Sequence, residues 1–152
     1  MSIVDFDSEH QRIEFASTLP FLKLICSAMD NFPTAYGLNF NAMRAANGLC
    51  MLLAAAERSE MIEQFAVGKL GGVKLIARAM RQFHKDKDFQ MFACVFLFDL
   101  CDNGHAGDSS MELEALVEVA TVIKSFPEDD DLRNIARSVI TKITVADKNS
   151  VD

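Results

Sequence analysis

One stretch of the chain contains the side-chain types that nucleophilic catalysis requires. Between Cys101 and Asp108 lie a thiol, the imidazole of His105 and a carboxylate. A cysteine becomes a nucleophile when a base stands beside it and a third group orients that base. The other histidines, His10 and His84, are distant in sequence from the cysteines. The loop 101–108 is therefore the only catalytic hypothesis, and we expect that the protein is not an enzyme and uses no cofactor.

Two other segments contain side chains that bind metals elsewhere. Residues 99–104 have the spacing of part of a calcium loop, but Cys101 and Ser110 occupy the third and twelfth positions. Calcium needs an oxygen ligand at the third position and a bidentate glutamate at the twelfth. The turn 84–88 contains one histidine and two aspartates, but three groups in an exposed turn do not form a closed zinc site. The sequence therefore predicts no metal site.

The composition favours a single all-helical domain. The 152 residues are 50% hydrophobic and 24% charged, with seven glycines and three prolines. That balance is typical of a globular chain long enough to bury a core. Good helix formers such as alanine, leucine, methionine and glutamate are common, and few prolines interrupt them. We predict an all-α fold.

The formal net charge of −7 bears on the kind of partner. Nucleic-acid binding is driven by clustered lysines and arginines that neutralise phosphates, and no such cluster is present in the sequence. We expect no nucleic-acid partner. An acidic surface favours a basic protein partner, although solubility alone also explains the charge.

The cysteines, the acidic N-terminal residues and the apolar runs indicate in which cellular compartment the protein is expected. Acidic residues at positions 5, 7 and 9 stand where a secretory signal would have a basic region. The longest apolar runs, Met51–Ala56 and Phe89–Leu100, are much shorter than the roughly 20 residues that span a bilayer. The four cysteines have no metal-binding spacing and lie within apolar helical patterns, which favours free thiols in a reducing compartment. We predict a cytoplasmic protein, with the nucleus as the alternative, and no membrane partner.

Apolar spacing predicts about seven to eight amphipathic helices. The segment Phe89–Cys101 is apolar nearly all round, so it should be covered on most sides and lie centrally. Residues 147–152 have the composition of a disordered tail. The predicted helices are Ser8–Ser17, Leu19–Phe32, Asn39–Arg58, Glu60–Val67, Val73–Phe83, Phe89–Cys101, Met111–Phe126 and Leu132–Val145.

The chain also repeats itself. The pattern Leu24-Ile25-x-x-Ala28-Met29-x-x-Phe32 recurs 51 residues later, ending at Phe83, and Phe83 in turn aligns with Phe126 at an offset of 43. One helical unit of this size has an apolar face that is buried only by stacking against the next. We predict one domain, residues 1–146, of three units at about 8–58, 59–103 and 109–146.

The middle unit resembles an armadillo repeat. It contains a short helix, the glycine bend Gly71-Gly72 and two longer helices, which are the three parts of that family's unit. The first unit lacks the glycine pair, and the third is similar to a HEAT-type helix pair. The resemblance implies a right-handed α-solenoid of about three armadillo/HEAT-like repeats.

The resemblance also implies a binding face. In armadillo-like proteins the last helix of each unit lines a concave groove, with an aromatic residue and, four residues later, an asparagine. None of the matching pairs here is tryptophan and asparagine, so the groove is of mixed character. The residues predicted to line it are Arg44, Asn47, Met51, Phe92, Val95, Asp99, Ser138 and Lys142.

These expectations give one leading function and two alternatives. The leading hypothesis is an adaptor or scaffold that holds another protein or peptide in the groove. The second is a self-assembling structural protein, because three repeats leave open ends. The polar first helix and the single apolar stripe of the last helix favour capped ends, and hence a monomer or weak homodimer. The third and most distant is an enzyme that uses the loop 101–108.

Overall fold

The computed structural model describes residues 3–53, 55–66, 70–103 and 109–149, and the side chains among them except those of 3–15, 55–56, 109–112 and 146–149. Within these ranges there are seven helices and no strand, so the predicted all-α class is confirmed there. The helices are α1 (Ile3–Asn31), α2 (Tyr36–Met51), α3 (Ala55–Ala66), α4 (Gly72–Gln82), α5 (Lys87–Asp102), α6 (Ser109–Ser125) and α7 (Asp130–Asn149).

α1 is one helix that continues through Pro20, so the prediction of two helices, Ser8–Ser17 and Leu19–Phe32, was wrong. A proline inside a helix removes one backbone hydrogen bond and costs about 3 kcal/mol. The half of α1 that follows the proline buries Leu22 and Met29. Burial of such side chains stabilises by roughly 1.5–3 kcal/mol each, which offsets the cost of the proline.

α2 ends at Met51, although the pattern predicted one helix from Asn39 to Arg58. The Arg58 guanidinium donates hydrogen bonds to the carbonyl oxygens of Met51 (3.0 Å) and Leu53 (2.9 Å). These carbonyls thus accept hydrogen bonds from a side chain and not from the backbone of a continuing helix. The chain turns here, and α3 begins at Ala55. The later helices follow the predicted order. α7 continues to Asn149, so residues 147–149 of the expected tail are helical.

The helices pack in two rows. α1 contacts α4, and α4 contacts α6; in the other row α2 contacts α5, and α5 contacts α7. The rows meet where α1 packs on α2, α4 on α5 and α6 on α7, while α3 packs against α1, α2 and α4. α5 touches α2, α4 and α7, and seven of its residues are buried, as its nearly all-apolar sequence predicted.

The same turn follows α1, α4 and α6. Phe32, Phe83 and Phe126 each donate their backbone N–H to the carbonyl four residues earlier, at 3.0, 2.9 and 3.0 Å. Each also accepts, through its own carbonyl, the N–H of the residue three positions later, at 3.2, 3.0 and 3.2 Å. The three phenylalanines therefore have equivalent backbone surroundings.

A polar side chain from the next helix completes each turn. Asn39, seven residues after Phe32, donates to the Phe32 carbonyl at 2.9 Å, and Gln90, seven residues after Phe83, donates to the Phe83 carbonyl at 2.9 Å. Both amides are buried and donate to a second carbonyl of the turn or helix end. In the third turn Arg133 donates to the carbonyl of Pro127 at 3.0 Å. Helix C-termini leave carbonyls without intrahelical partners, and these side chains donate to carbonyls there in addition to the backbone bonds of the turns.

We expect Gln90→Leu to lower the free energy of unfolding by about 1–3 kcal/mol, because it removes the donor to buried carbonyls while keeping an apolar side chain of similar size. The matched control is Gln82→Leu, where the side chain is exposed at the end of α4 and the effect should stay within about 0.5 kcal/mol. Urea denaturation followed by circular dichroism measures both. Equal effects of the two substitutions would contradict the role assigned to Gln90.

Two helical glycines give a second test of packing. A Cβ on Gly72 would lie 2.5 Å from ring carbons of Phe65 and 2.7 Å from its backbone oxygen, whereas a Cβ on Gly48 meets nothing within 4 Å. We therefore expect Gly72→Ala to destabilise by about 1–3 kcal/mol through overpacking. Gly48→Ala should stabilise by about 0.5–1 kcal/mol, because alanine is the better helix former. Thermal unfolding that shifts in the same direction for both variants would refute the close approach of α3 to α4.

Candidate functional site

α2, α5 and α7 lie side by side and form one face of the protein, which contains all eight residues predicted from the sequence. We define this α2–α5–α7 face by its half-buried or exposed side chains. They are Arg44, Asn47 and Met51 of α2, Phe92, Val95, Phe98, Asp99 and Asp102 of α5, and Asn134, Ser138 and Lys142 of α7.

At the junction of α2 and α5, two predicted residues meet. The Asn47 side-chain amide donates to Asp99 Oδ2 at 3.4 Å, a long hydrogen bond. Asn47 Oδ1 is buried and has no hydrogen-bond partner among the described residues. A carboxylate in an apolar helix needs a partner or water. Here the partner of the Asp99 carboxylate is the side-chain amide of Asn47, whose oxygen Oδ1 can still accept a hydrogen bond.

One end of this junction is closed by Arg58, which sequence reasoning did not place in the site. Its guanidinium donates to Asn103 Oδ1 at 3.3 Å in addition to the Met51 and Leu53 carbonyls. Asn103 in turn donates to the Asp99 carbonyl at 2.7 Å and lies 4.0 Å from the Met51 sulfur. A cation at the C-terminal ends of α2 and α5 also complements the helix dipoles. The one feature of the sequence that could have indicated this role is a single arginine shortly after an apolar helical segment.

The other end of the junction is an aromatic cluster. The rings of Phe40 and Phe92 lie 5.7 Å apart, and the Arg44 guanidinium carbon lies 5.9 Å from the centre of the Phe40 ring. The same cluster includes the rings of Tyr36, Phe83 and Phe89. The Tyr36 ring lies 5.3 Å from that of Phe83 and 5.7 Å from that of Phe89, and the Phe40 ring lies 6.0 Å from that of Phe89. Phe92 is thus largely a packing residue between α2 and α5. Sequence reasoning named Phe92 and Arg44 but missed Phe40, which connects them.

At the junction of α5 and α7, Lys142 covers the edge of α5. Its ammonium nitrogen lies 2.7 Å from Asp102 Oδ1 and 5.6 Å from the centre of the Phe98 ring. The Ser138 hydroxyl donates to the Asn134 carbonyl at 3.0 Å. A shallow depression of about 480 Å³ lies here, lined by Phe98, Asn134, Arg137, Ser138, Thr141 and Lys142. Val95 lies on α5 between the two junctions, and its side chain is half-buried.

The residues considered for chemistry are not assembled into a reactive site in the described part of the chain. His105 and the rest of 104–108 lie outside the described residues. His84 is exposed, with its Nδ1 3.1 Å from the Arg81 carbonyl oxygen. No group of three or more metal-binding side chains occurs among the residues the structure describes.

Three cysteines are buried thiols. Burial raises the pKa of Cys26 to about 11 and those of Cys50 and Cys94 to about 12. The thiolate is the reactive form of cysteine, so these side chains are almost entirely protonated, and unreactive, near neutral pH.

Comparison of the sequence with protein-family models found no matching family, and no curated protein matched either. No solved structure matched the fold. None of the described helices has the length and apolar character needed to cross a bilayer.

The thiol environments predict slow alkylation. At pH 8 and below, native Cys26, Cys50 and Cys94 should react with iodoacetamide at least about tenfold more slowly than the same residues in the urea-unfolded chain, because they are inaccessible and protonated. Residue-resolved mass spectrometry measures the rates. Rapid labelling of any of the three in the folded protein would contradict their burial.

Proposed function

We propose that this protein is an interaction module that binds a segment of another protein on the α2–α5–α7 face. The observation that carries the proposal is the pair of partly exposed apolar side chains Val95 and Phe98 on α5, bordered by polar side chains that contact their neighbours. Protein interfaces combine an apolar centre with a polar rim in this way. The module has no enzymatic role in this proposal.

We further propose that the chain is a right-handed α-solenoid of three armadillo/HEAT-like units. The two rows of helices support this, because neighbouring units then contact one another through α1, α4 and α6 on one side and α2, α5 and α7 on the other. The three turns with matching backbone hydrogen bonds also support it. In such a stack the last helices of the units form the concave, ligand-binding side.

The chemistry of the face favours a partner segment with both apolar and basic side chains. Val95 and Phe98 offer an apolar floor, and the carboxylates of Asp88, Asp99 and Asp102 lie along the same side of α5 at helical spacing. Asp102 is paired with Lys142, whereas Asp88 is exposed. The net charge of −7 would attract a basic segment over a longer range. A cytoplasmic or nuclear protein is the expected partner.

The ends of the stack support a second candidate, self-association. Leu24 is 67% exposed, while Leu75, its counterpart 51 residues later, is 9% exposed. The same row ends at α6 with Leu113 and Val117 exposed. These exposed side chains lie outside the segment 8–17 and the last helix, which are the expected caps, and contact between copies through them is the alternative function. A mass of twice the monomer in solution that falls on Leu24→Glu substitution would favour it.

We expect Val95→Glu to weaken peptide binding on the face by about tenfold or more, because it places an unpaired charge in the apolar centre of the interface. Ligands come from selecting a displayed library of random peptides against the wild-type protein. Affinities are then measured by fluorescence polarisation for each variant.

The matched control is Val117→Glu, the same substitution at an exposed position of α6 in the other row. It should leave the affinity within about twofold of the wild-type value. Peptides that lose affinity on Val117→Glu and not on Val95→Glu would refute the assignment of the face.

A further inference from the structure

A cavity lies in the other row of helices, away from the α2–α5–α7 face. It has a volume of about 590 Å³ and is lined by residues of α1, of α4 and the two positions before it, and by one residue of α6. Four of its eleven lining residues are lysine or arginine, compared with 15 of 152 in the whole chain. In a protein with a net charge of −7, this is a local concentration of positive charge.

Two of these cations are fixed by their neighbours. The Arg78 guanidinium donates to Asp30 Oδ1 at 3.1 Å and to the Met29 carbonyl at 2.7 Å. Arg81 donates through Nε to Glu118 Oε1 at 2.9 Å. A guanidinium has five N–H donors, so each arginine keeps donors for a further acceptor. Contacts within the protein thus orient both arginines.

The other two cations, Lys23 and Lys74, have no ion-pair or hydrogen-bond partner among the described residues. They are separated by 51 residues, the offset that relates the turns after α1 and α4, so they occupy equivalent positions on neighbouring helices. Asp30 is neutralised by Arg78, and Glu114 is the one other carboxylate that lines the cavity. The cavity therefore has two cations without an assigned partner.

The start of α4 is a further feature of the cavity that favours an anion, in addition to the four cationic side chains. Gly71, which lines the cavity, has the left-handed φ of 61°, and no side chain caps α4. The first turn of α4 contains no acidic residue. Backbone N–H groups at such a start favour an anion.

We infer that this cavity binds a phosphate monoester. The phosphate dianion would lie between Lys23, Lys74 and Arg78, because charge-assisted hydrogen bonds from such groups are the strongest that a protein surface offers to it. The cavity is larger than a phosphate ion alone requires, so the remaining volume would hold the group esterified to it. The site is independent of the proposed partner-binding face.

The test is a titration of the folded protein followed by ¹H–¹⁵N correlation spectra at constant ionic strength, with N-acetylphosphoserine amide as the monoester and inorganic phosphate as the second probe. We expect saturable shifts at Gly71, Lys74 and the Arg78 Nε–H, and tighter binding of the monoester than of inorganic phosphate. The double variant Lys23→Gln/Lys74→Gln should bind the monoester at least about tenfold more weakly.

The control is Lys85→Gln/Lys124→Gln, which removes the same charge from exposed positions outside the cavity and should change the affinity less than about twofold. Should the double cavity variant lose dispersed spectra, Lys23→Gln alone serves, with a weaker loss expected. Shifts that stay linear with concentration, or an equal loss in the control, would overturn the inference. Inorganic phosphate binding as tightly as the monoester would refute the assigned ligand.

Discussion

The burial of α5 determines where the other helices lie. Seven of its residues are buried, and Phe89, Phe96 and Leu100 are completely so. Each large apolar side chain of this kind stabilises the fold by roughly 1.5–3 kcal/mol only while it stays out of water. No single neighbour covers a helix that is apolar on several sides. α2, α4 and α7 must therefore pack on it together, which produces two rows of helices and leaves one strip of α5 partly exposed.

The carbonyl groups at the turn before α5 need hydrogen-bond donors within the same interior. A buried carbonyl without a donor costs about 1–3 kcal/mol, and Gln90 removes that cost at the Met80 carbonyl near the end of α4. In the third turn Asp129 caps α7 and pairs with Lys87 at the start of α5. That contact lowers the pKa of Asp129, chiefly through the Lys87 hydrogen bond, so the stability it adds is lost as the pH falls through that depressed value.

The sequence predicted features that depend on residues close together in the chain better than features that depend on tertiary contacts. Helical periodicity is local, so it revealed the all-α class, the burial of α5 and the correspondence of Phe32, Phe83 and Phe126. Tertiary contacts were not visible: Arg58 ends α2 from a position inside α3, and Pro20 lies within a helix that burial holds together. The eight residues proposed for the face do lie on three adjacent helices. The basic cavity escaped notice because its lysines are far apart along the chain.

Native-state hydrogen exchange at increasing urea concentration tests the central role of α5 most directly, because it gives the free energy of opening for each amide. If α5 holds the rows together, the amides from Ala93 to Leu97 exchange only through global unfolding, and those near the ends of α1 and α7 exchange through smaller openings. The account is contradicted if these α5 amides exchange by local opening while α2 and α7 remain protected.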